Sequence, residues 1–201
     1  MELQDGPIGL RPIRMRDQRS WQEVSRRNRD WLRRWEATVP PARAGQPPAL
    51  RPTYRQMVRF LRGEAHAGRM LPFVVTYQGR LVGQLTVGGI TWGSMCSANI
   101  GYWIDEAYAG RGIIPTVVAL SVDHCFGAMG LHRIEVCIRP ENSPSRRVVE
   151  KLGFREEGLR PRYLHIDGGW RDHLVYALTV DEVPEGMLAR WHRIESHHPH
   201  K

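Results

Sequence analysis

At 201 residues, 41% of them hydrophobic, the chain has the length of one domain and enough apolar material for a sizeable core. No stretch reaches the roughly 20 consecutive apolar residues of a membrane span, and Met1-Glu2-Leu3-Gln4-Asp5 lacks the basic and apolar regions of a signal peptide, so a cytoplasmic location with no membrane partner is expected. The net charge of +8 would attract polyanions, but Lys151 and Lys201 are the only lysines; basicity spread as arginine fits a codon bias better than a selected binding face, and direct nucleic-acid binding is not expected.

Ile8 to Ile13 alternates apolar with polar or small residues and reads as a first strand. From Met15 to Trp35 the apolar spacing through Trp21, Val24, Trp31, Leu32 and Trp35 predicts one helix with arginines on its other face. Val39 to Pro52 holds five prolines and Gly45 and no period, so it is a loop and a candidate substrate lid. Thr53 suits the N-cap of a helix running to about His66. Leu71 to Tyr77 and Arg80 to Val87 flank Gln78-Gly79 as a tight hairpin, and Ser97 to Ile104 is a further strand that feeds a glycine-bearing loop, Asp105 to Arg111.

Gly112 to Met129 has almost no charge and predicts a buried helix, with Pro115 tolerated only in its first turn. A strand from His132 to Arg139, a Pro140-to-Ser143 turn and a short helix from Pro144 to Leu152 ended by Gly153 follow. Leu164 to Ile166 and Asp172 to Leu178 pair across Asp167-Gly168-Gly169, and a last helix starts near Pro184 and runs through Trp191. Hairpins early and crossover helices late predict an α+β fold, a mixed and largely antiparallel twisted sheet flanked by helices, in one domain over 1–201 with a core of 8–180 and a C-terminal helix and tail over 181–201.

Cys96, Cys125 and Cys137 are odd in number and lack metal-ligand spacing, so they are expected to be reduced core thiols, with no metal site. His197, His198 and His200 belong to a short terminal tail. A strand that ends in Gly110-Arg111-Gly112 and opens a helix presents free backbone N–H groups, reinforced by the helix dipole, to an anion; phosphate is the natural ligand. The Gly-x-x-x-x-Gly-Lys-Ser/Thr loop is absent, and Pro115 stands where a dinucleotide fingerprint needs its third glycine, which excludes the ATPase and dehydrogenase readings.

In order along the chain, Gly101-Tyr102-Trp103-Ile104-Asp105, Tyr108-Ala109-Gly110-Arg111-Gly112-Ile113-Ile114-Pro115, Asn142-Ser143-Pro144-Ser145-Arg146-Arg147-Val148 and Leu152-Gly153-Phe154 resemble the GNAT acetyltransferases. The resemblance is nearest the RimJ/RimL branch, which acetylates the amino termini of ribosomal proteins, and it implies the acyl-CoA N-acyltransferase fold and acetyl-CoA as cosubstrate. It implies a pyrophosphate loop over Ala109, Gly110, Arg111, Gly112, Ile113 and Ile114, where Ala109 and Ile114 depart from the family's Gln/Arg and Gly/Ala. It further implies that backbone groups of Trp103 and Ile104 hold the pantetheine arm in a wedge between two splayed strands, with Asn142 on the other side and Ser145 near the sulfur. Asn142 also suits a plain helix cap.

Many relatives carry a tyrosine acid in that helix where this chain has Val149, so Ser145 and Tyr163, on the closing hairpin, are the candidate catalytic residues. A glutamate base found in some relatives is missing from Arg160-Pro161-Arg162-Tyr163, which leaves Glu135, Asp172 and His173 as candidates; a free α-amino group, with a pKa near 8, needs little help. The expected activity is acetyl transfer to a protein amino terminus, possible alternatives being a small-amine acceptor or a non-catalytic CoA-binding or ribosome-associated module. Monomer and homodimer are both open.

Overall fold

The computed structural model describes residues 1–41 and 52–197. The expected lid over Val39 to Pro52 lies mostly outside them, as do His198 and His200 of the tail.

Among the described residues eight strands form one sheet: β1 (Leu3–Asp5), β2 (Ile8–Pro12), β3 (Leu71–Tyr77), β4 (Arg80–Thr91), β5 (Ser97–Ile104), β6 (Arg133–Ile138), β7 (Arg155–Ile166) and β8 (Gly169–Thr179). They lie in the order β1-β2-β3-β4-β5-β6-β8-β7. Neighbours are antiparallel except β5 and β6, which are parallel because a helix carries the chain back between them. The helices are α1 (Gln18–Arg27), α2 (Arg29–Arg33), α3 (Tyr54–His66), α4 (Ile113–Asp123), α5 (Ser143–Lys151) and α6 (Met187–His197). None of them is long and apolar enough to cross a membrane.

The sheet separates two cores. On one face α4, α5 and α6 pack on Val82, Leu85, Ile100, Ile134, Val136 and Tyr176; on the other, α1 and α3 pack Val24, Tyr54, Val58 and Leu61 against Ile13, Val74 and Leu81. α4 is buried along ten consecutive positions, Ile113 to Val122, as its lack of charge requires. α6 is fixed to it by Asp123, which accepts from the N–H groups of Met187 (2.6 Å) and Leu188 (3.0 Å), and by the Trp191 indole donating to Thr116 at 2.9 Å.

The structure departs from the sequence reading in several places. The helix expected from Met15 to Trp35 breaks at Asn28, whose side chain leaves the helix for partners on the loop after β5. The buried helix continues past Asp123 as a π-helical turn, His124–Ala128. β1 is too short to show a period, and β7 begins nine residues before the expected Leu164 because it is an exposed edge strand with two register shifts, which erase the alternation. The last helix begins at Met187, where Asp123 caps it, rather than at Pro184. Of the three thiols only Cys125 is a core residue; Cys96 and Cys137 are half-buried.

Candidate functional site

The parallel ladder between β5 and β6 contains only Ser97↔Arg133, Ala98↔Ile134 and Asn99↔Glu135. Beyond it β5 stays with β4 to Ile104 and β6 stays with β8 to Ile138, so the two strands part and leave a wedge-shaped gap in the middle of the sheet. The Asp105 N–H donates to the Val82 carbonyl at 2.8 Å. The Trp103 carbonyl lies so close to Gly83 that a Cβ there would stand 2.3 Å from it, which only glycine avoids. Because main-chain groups alternate sides along a strand, Trp103 turns its polar groups to β4, and those of Tyr102 and Ile104 face the gap. Of the expected pair Trp103 and Ile104, the alternation turns Ile104 to the gap, with Tyr102 joining it.

At the mouth of the gap the chain enters the glycine loop. Gly110 (φ 77°) and Gly112 (φ 73°) both occupy the left-handed region, and Gly112 is the N-cap of α4. The first main-chain bond of the helix runs from Thr116 N–H to the Gly112 carbonyl at 3.2 Å, and Pro115 has no N–H. The N–H groups from Gly110 to Ile114 therefore have no partner among the described residues, and they sit at the positive end of a buried helix. Ala109 instead spends its N–H on Glu106 at 3.1 Å. Arg111 is folded back, its guanidinium donating to the Ala107 carbonyl at 3.0 Å and lying 5.1 Å from the centre of the Tyr108 ring.

The loop is anchored by a buried carboxylate that sequence reasoning passed over. Asp105, 1% exposed, accepts from the Arg27 guanidinium, from Asn28 Nδ2 at 2.8 Å and from Ala107 N–H at 3.3 Å. Asn28 Oδ1 accepts the Glu106 N–H at 2.9 Å, and its Nδ2 also caps Val24 at 2.8 Å. Burial pushes the Asp105 carboxyl up, but the bonds from Arg27 and Asn28 outweigh it and hold the group below its ordinary value. The end of α1 is thus tied to the start of the phosphate-type loop.

Across the gap, Asn142 caps α5, its Oδ1 accepting Ser145 N–H at 3.3 Å. The Ser145 hydroxyl stands 2.9 Å from the Tyr102 hydroxyl, which also reaches the Ser145 carbonyl at 3.3 Å. The helix position that resembles the family's tyrosine is Val149, fully buried in the core, and a phenol arrives beside Ser145 from β5. Burial raises the Tyr102 phenol well above its usual range against the opposing pull of Ser145, so it stays a neutral donor. A signal for it existed in the sequence only as one aromatic in a strand.

Tyr163 lies elsewhere. It makes no contact with Ser145; its hydroxyl accepts from Arg160 at 3.3 Å, and its ring stands edge-on to His173 at 5.8 Å, on the sheet face away from α5. That face carries Glu135 and Cys137 of β6, Arg139 just after it, and His173 of β8. Of the three candidate bases, Glu135 and His173 lie on it, whereas Asp172, one residue before His173 on β8, points to the opposite face. Glu135 is clamped by Arg133 and Arg160, each at 2.9 Å, and Asp172 accepts the Arg162 N–H at 2.7 Å, whereas His173 is 3% exposed and uses only Nδ1, 3.0 Å from the Arg171 carbonyl. Burial pushes the His173 imidazole below its ordinary value, with Arg139 adding to the effect.

The chain after α2 crosses this face. Arg139 donates to the Arg34 carbonyl at 2.6 Å, and the guanidinium groups of Arg34 and Arg139 each lie 5.4 Å from the Trp35 ring. Thr38 N–H then donates to the His165 carbonyl at 2.9 Å, joining the strap to the β7–β8 hairpin. Tied to Asp105 at one end and to His165 at the other, the segment from Arg27 to Thr38 links the β5 side of the opening to the β7–β8 side. Trp103 packs edge-on against Trp21 at 6.4 Å, and Trp92 is 51% exposed.

This arrangement matches known proteins. Residues 8–155 match the acetyltransferase (GNAT) domain family. The structure of Mycobacterium smegmatis RimJ in complex with CoA-disulfide is 44% identical in sequence and superposes with a TM-score of 0.85 over 92% of this chain and 88% of that one. Among curated relatives, the probable N-acetyltransferase YjcK of Bacillus subtilis is 42% identical over 99 residues, which is 49% of this chain and 55% of that protein. The [ribosomal protein uS5]-alanine N-acetyltransferase of Escherichia coli is 30% identical over 106 residues, 53% of this chain and 55% of that protein. The chain thus spans about half the length of the curated relatives it matches.

Proposed function

The chain belongs to the GNAT acetyltransferase family, and from that premise we propose that it transfers acetyl from acetyl-CoA to the α-amino group of a protein amino terminus, in particular of a ribosomal protein. The observation that carries the reading is the gap between β5 and β6, lined by the Tyr102 and Ile104 main chain and closed at its mouth by the unpartnered N–H groups of Gly110 to Ile114. Those N–H groups suit a pyrophosphate, and the strand edge suits the amide-bearing pantetheine arm as an added strand. The CoA complex of the mycobacterial relative and the activity named for the Escherichia coli relative support the cosubstrate and the acceptor.

The amine attacks the thioester carbonyl carbon, and a strand N–H facing the gap polarises the carbonyl oxygen as charge develops on it. When the C–S bond breaks, its electron pair goes to sulfur, and the Tyr102–Ser145 hydroxyl pair stabilises the thiolate and supplies its proton. Asn142 positions Ser145 through the helix cap. Tyr163 is assigned to the acceptor side rather than to the thiol, since it shares a face with His173 and not with Ser145.

The acceptor side favours a monocationic amine on a peptide over a polyamine. Among the described residues of β6 and the turn after it, Glu135 is engaged by Arg133 and Arg160 and Glu141 by Arg139, which disfavours a second ammonium beside them. Thiol release from acetyl-CoA with peptides that begin Ala, Ser or Thr tests the reading; release only with small polyamines would reverse the acceptor assignment, and no release with any amine would remove the activity.

A further inference from the structure

On the acceptor face, among the described residues, the imidazole of His173 has a ring nitrogen with no hydrogen-bond partner. His173 is 3% exposed, and its Nδ1 lies 3.0 Å from the Arg171 carbonyl, which can only accept, so the proton of the neutral ring sits on Nδ1 and Nε2 carries a bare lone pair. Nε2 has no partner among the described residues, yet no fully buried side-chain nitrogen or oxygen lacks one, so Nε2 opens onto solvent-reachable space. The ring is fixed by Tyr163, edge-on at 5.8 Å, and its strand position is opposite Arg160 of β7.

We propose that His173 Nε2 is the proton acceptor for the attacking amine, through one water, in the acetyl transfer inferred above, on which this assignment rests. Its place in the fold supplies the reason. β8 lies beside β6, and Ile138 opposite Leu174 puts His173 next to Arg139, at the end of β6 that borders the gap and beneath the Trp35 strap. As the N–C bond forms, the nitrogen becomes strongly acidic; its proton passes to Nε2, the C–S pair leaves with sulfur, and imidazolium returns the proton to solvent. The charged neighbours divide: Arg139 disfavours the imidazolium, Asp172 and Glu141 favour it, and Arg160 is held by Glu135 and Tyr163. Together with burial they leave the ring neutral at pH 7, as an acceptor must be.

The test uses the full chain, acetyl-CoA and an Ala-starting peptide. His173→Asn keeps a donor for the Arg171 carbonyl and deletes Nε2; it should bind acetyl-CoA within twofold of wild type by calorimetry while kcat falls about 100-fold. The pH dependence separates chemistry from structure. In wild type, log kcat/KM should steepen from slope one to slope two below about pH 6.5, where the imidazole protonates in addition to the free amine, and the steepening should vanish in the variant. An unchanged kcat, or a steepening that persists in the variant, overturns the role of His173 while acetyl transfer stands. A wild-type enzyme that neither binds acetyl-CoA nor releases thiol removes both. If His173→Asn does not fold, His173→Gln is measured in the same way, and a wild-type profile with no ionisation below about 6.5 refutes the proposal without any variant.

Discussion

The two sides of the β5–β6 gap are built from different material. On the α4 side the polar groups are main-chain N–H donors, aimed by glycines at positive φ and by a helix start; on the β6–β8 side they are side chains, Glu135, Arg139, Arg160, Tyr163 and His173, brought together from β6, β7 and β8. Backbone donors recognise what every acyl-CoA shares, whereas side chains can be changed one at a time. On the proposed function, the cosubstrate side is set by conformation and the acceptor side by composition.

Substitutions that deform the loop should therefore act on stability and CoA binding, and those near the thiol on turnover. The largest effect is expected for Asp105→Ala, which strips the Arg27 and Asn28 anchor and leaves buried donors unmet; a loss of about 2–3 kcal/mol in urea unfolding is expected, with weaker CoA binding. Because the folded-state pKa of Asp105 is depressed, its contribution is complete above the ordinary value of 3.8 and is lost as pH falls through the lower folded value. The wild-type minus Asp105→Asn stability difference should shrink below pH 3.8. If CoA affinity survives Asp105→Ala intact, the glycine loop holds its own shape and the anchor is only structural.

Gly112→Val comes next. It forces a β-branched residue to φ 73° and puts methyls beside the N–H cluster, so CoA affinity should drop at least tenfold by calorimetry, which is about 1.4 kcal/mol. Ser145→Ala and Tyr102→Phe should each lower kcat by about tenfold and leave the CoA Kd within twofold, and the double variant should lose less than the product because the two hydroxyls act as one unit. Additive losses would place them in separate roles. The smallest effect belongs to Arg111→Ala, at about threefold in CoA Kd and shrinking with added salt, since the exposed guanidinium is already occupied by Ala107 and Tyr108. A larger loss would shift phosphate recognition from backbone to side chain.

The sequence by itself determined the features that arise from local sterics and periodicity. Gly110 and Gly112 with Pro115 specify a loop that opens a helix, because only glycine takes the left-handed turn freely and proline fits only where no N–H is needed. The alternating strands from Leu71 to Ile104, the charge-free α4 and the Asn142 cap were legible for the same reason. Tertiary structure alone decided the chemistry-bearing pairs, because they depend on strand register and on which face a side chain takes. Tyr102 meets Ser145 across 43 residues and Asn28 meets Glu106 across 78, separations that carry no local signal. Main-chain parity turned Trp103 away from the gap and Tyr102 towards it; of the three candidate bases, Glu135 is engaged by Arg133 of its own strand and Arg160 of β7, Asp172 turns to the opposite face and accepts a main-chain N–H, and His173 Nε2 has no partner among the described residues.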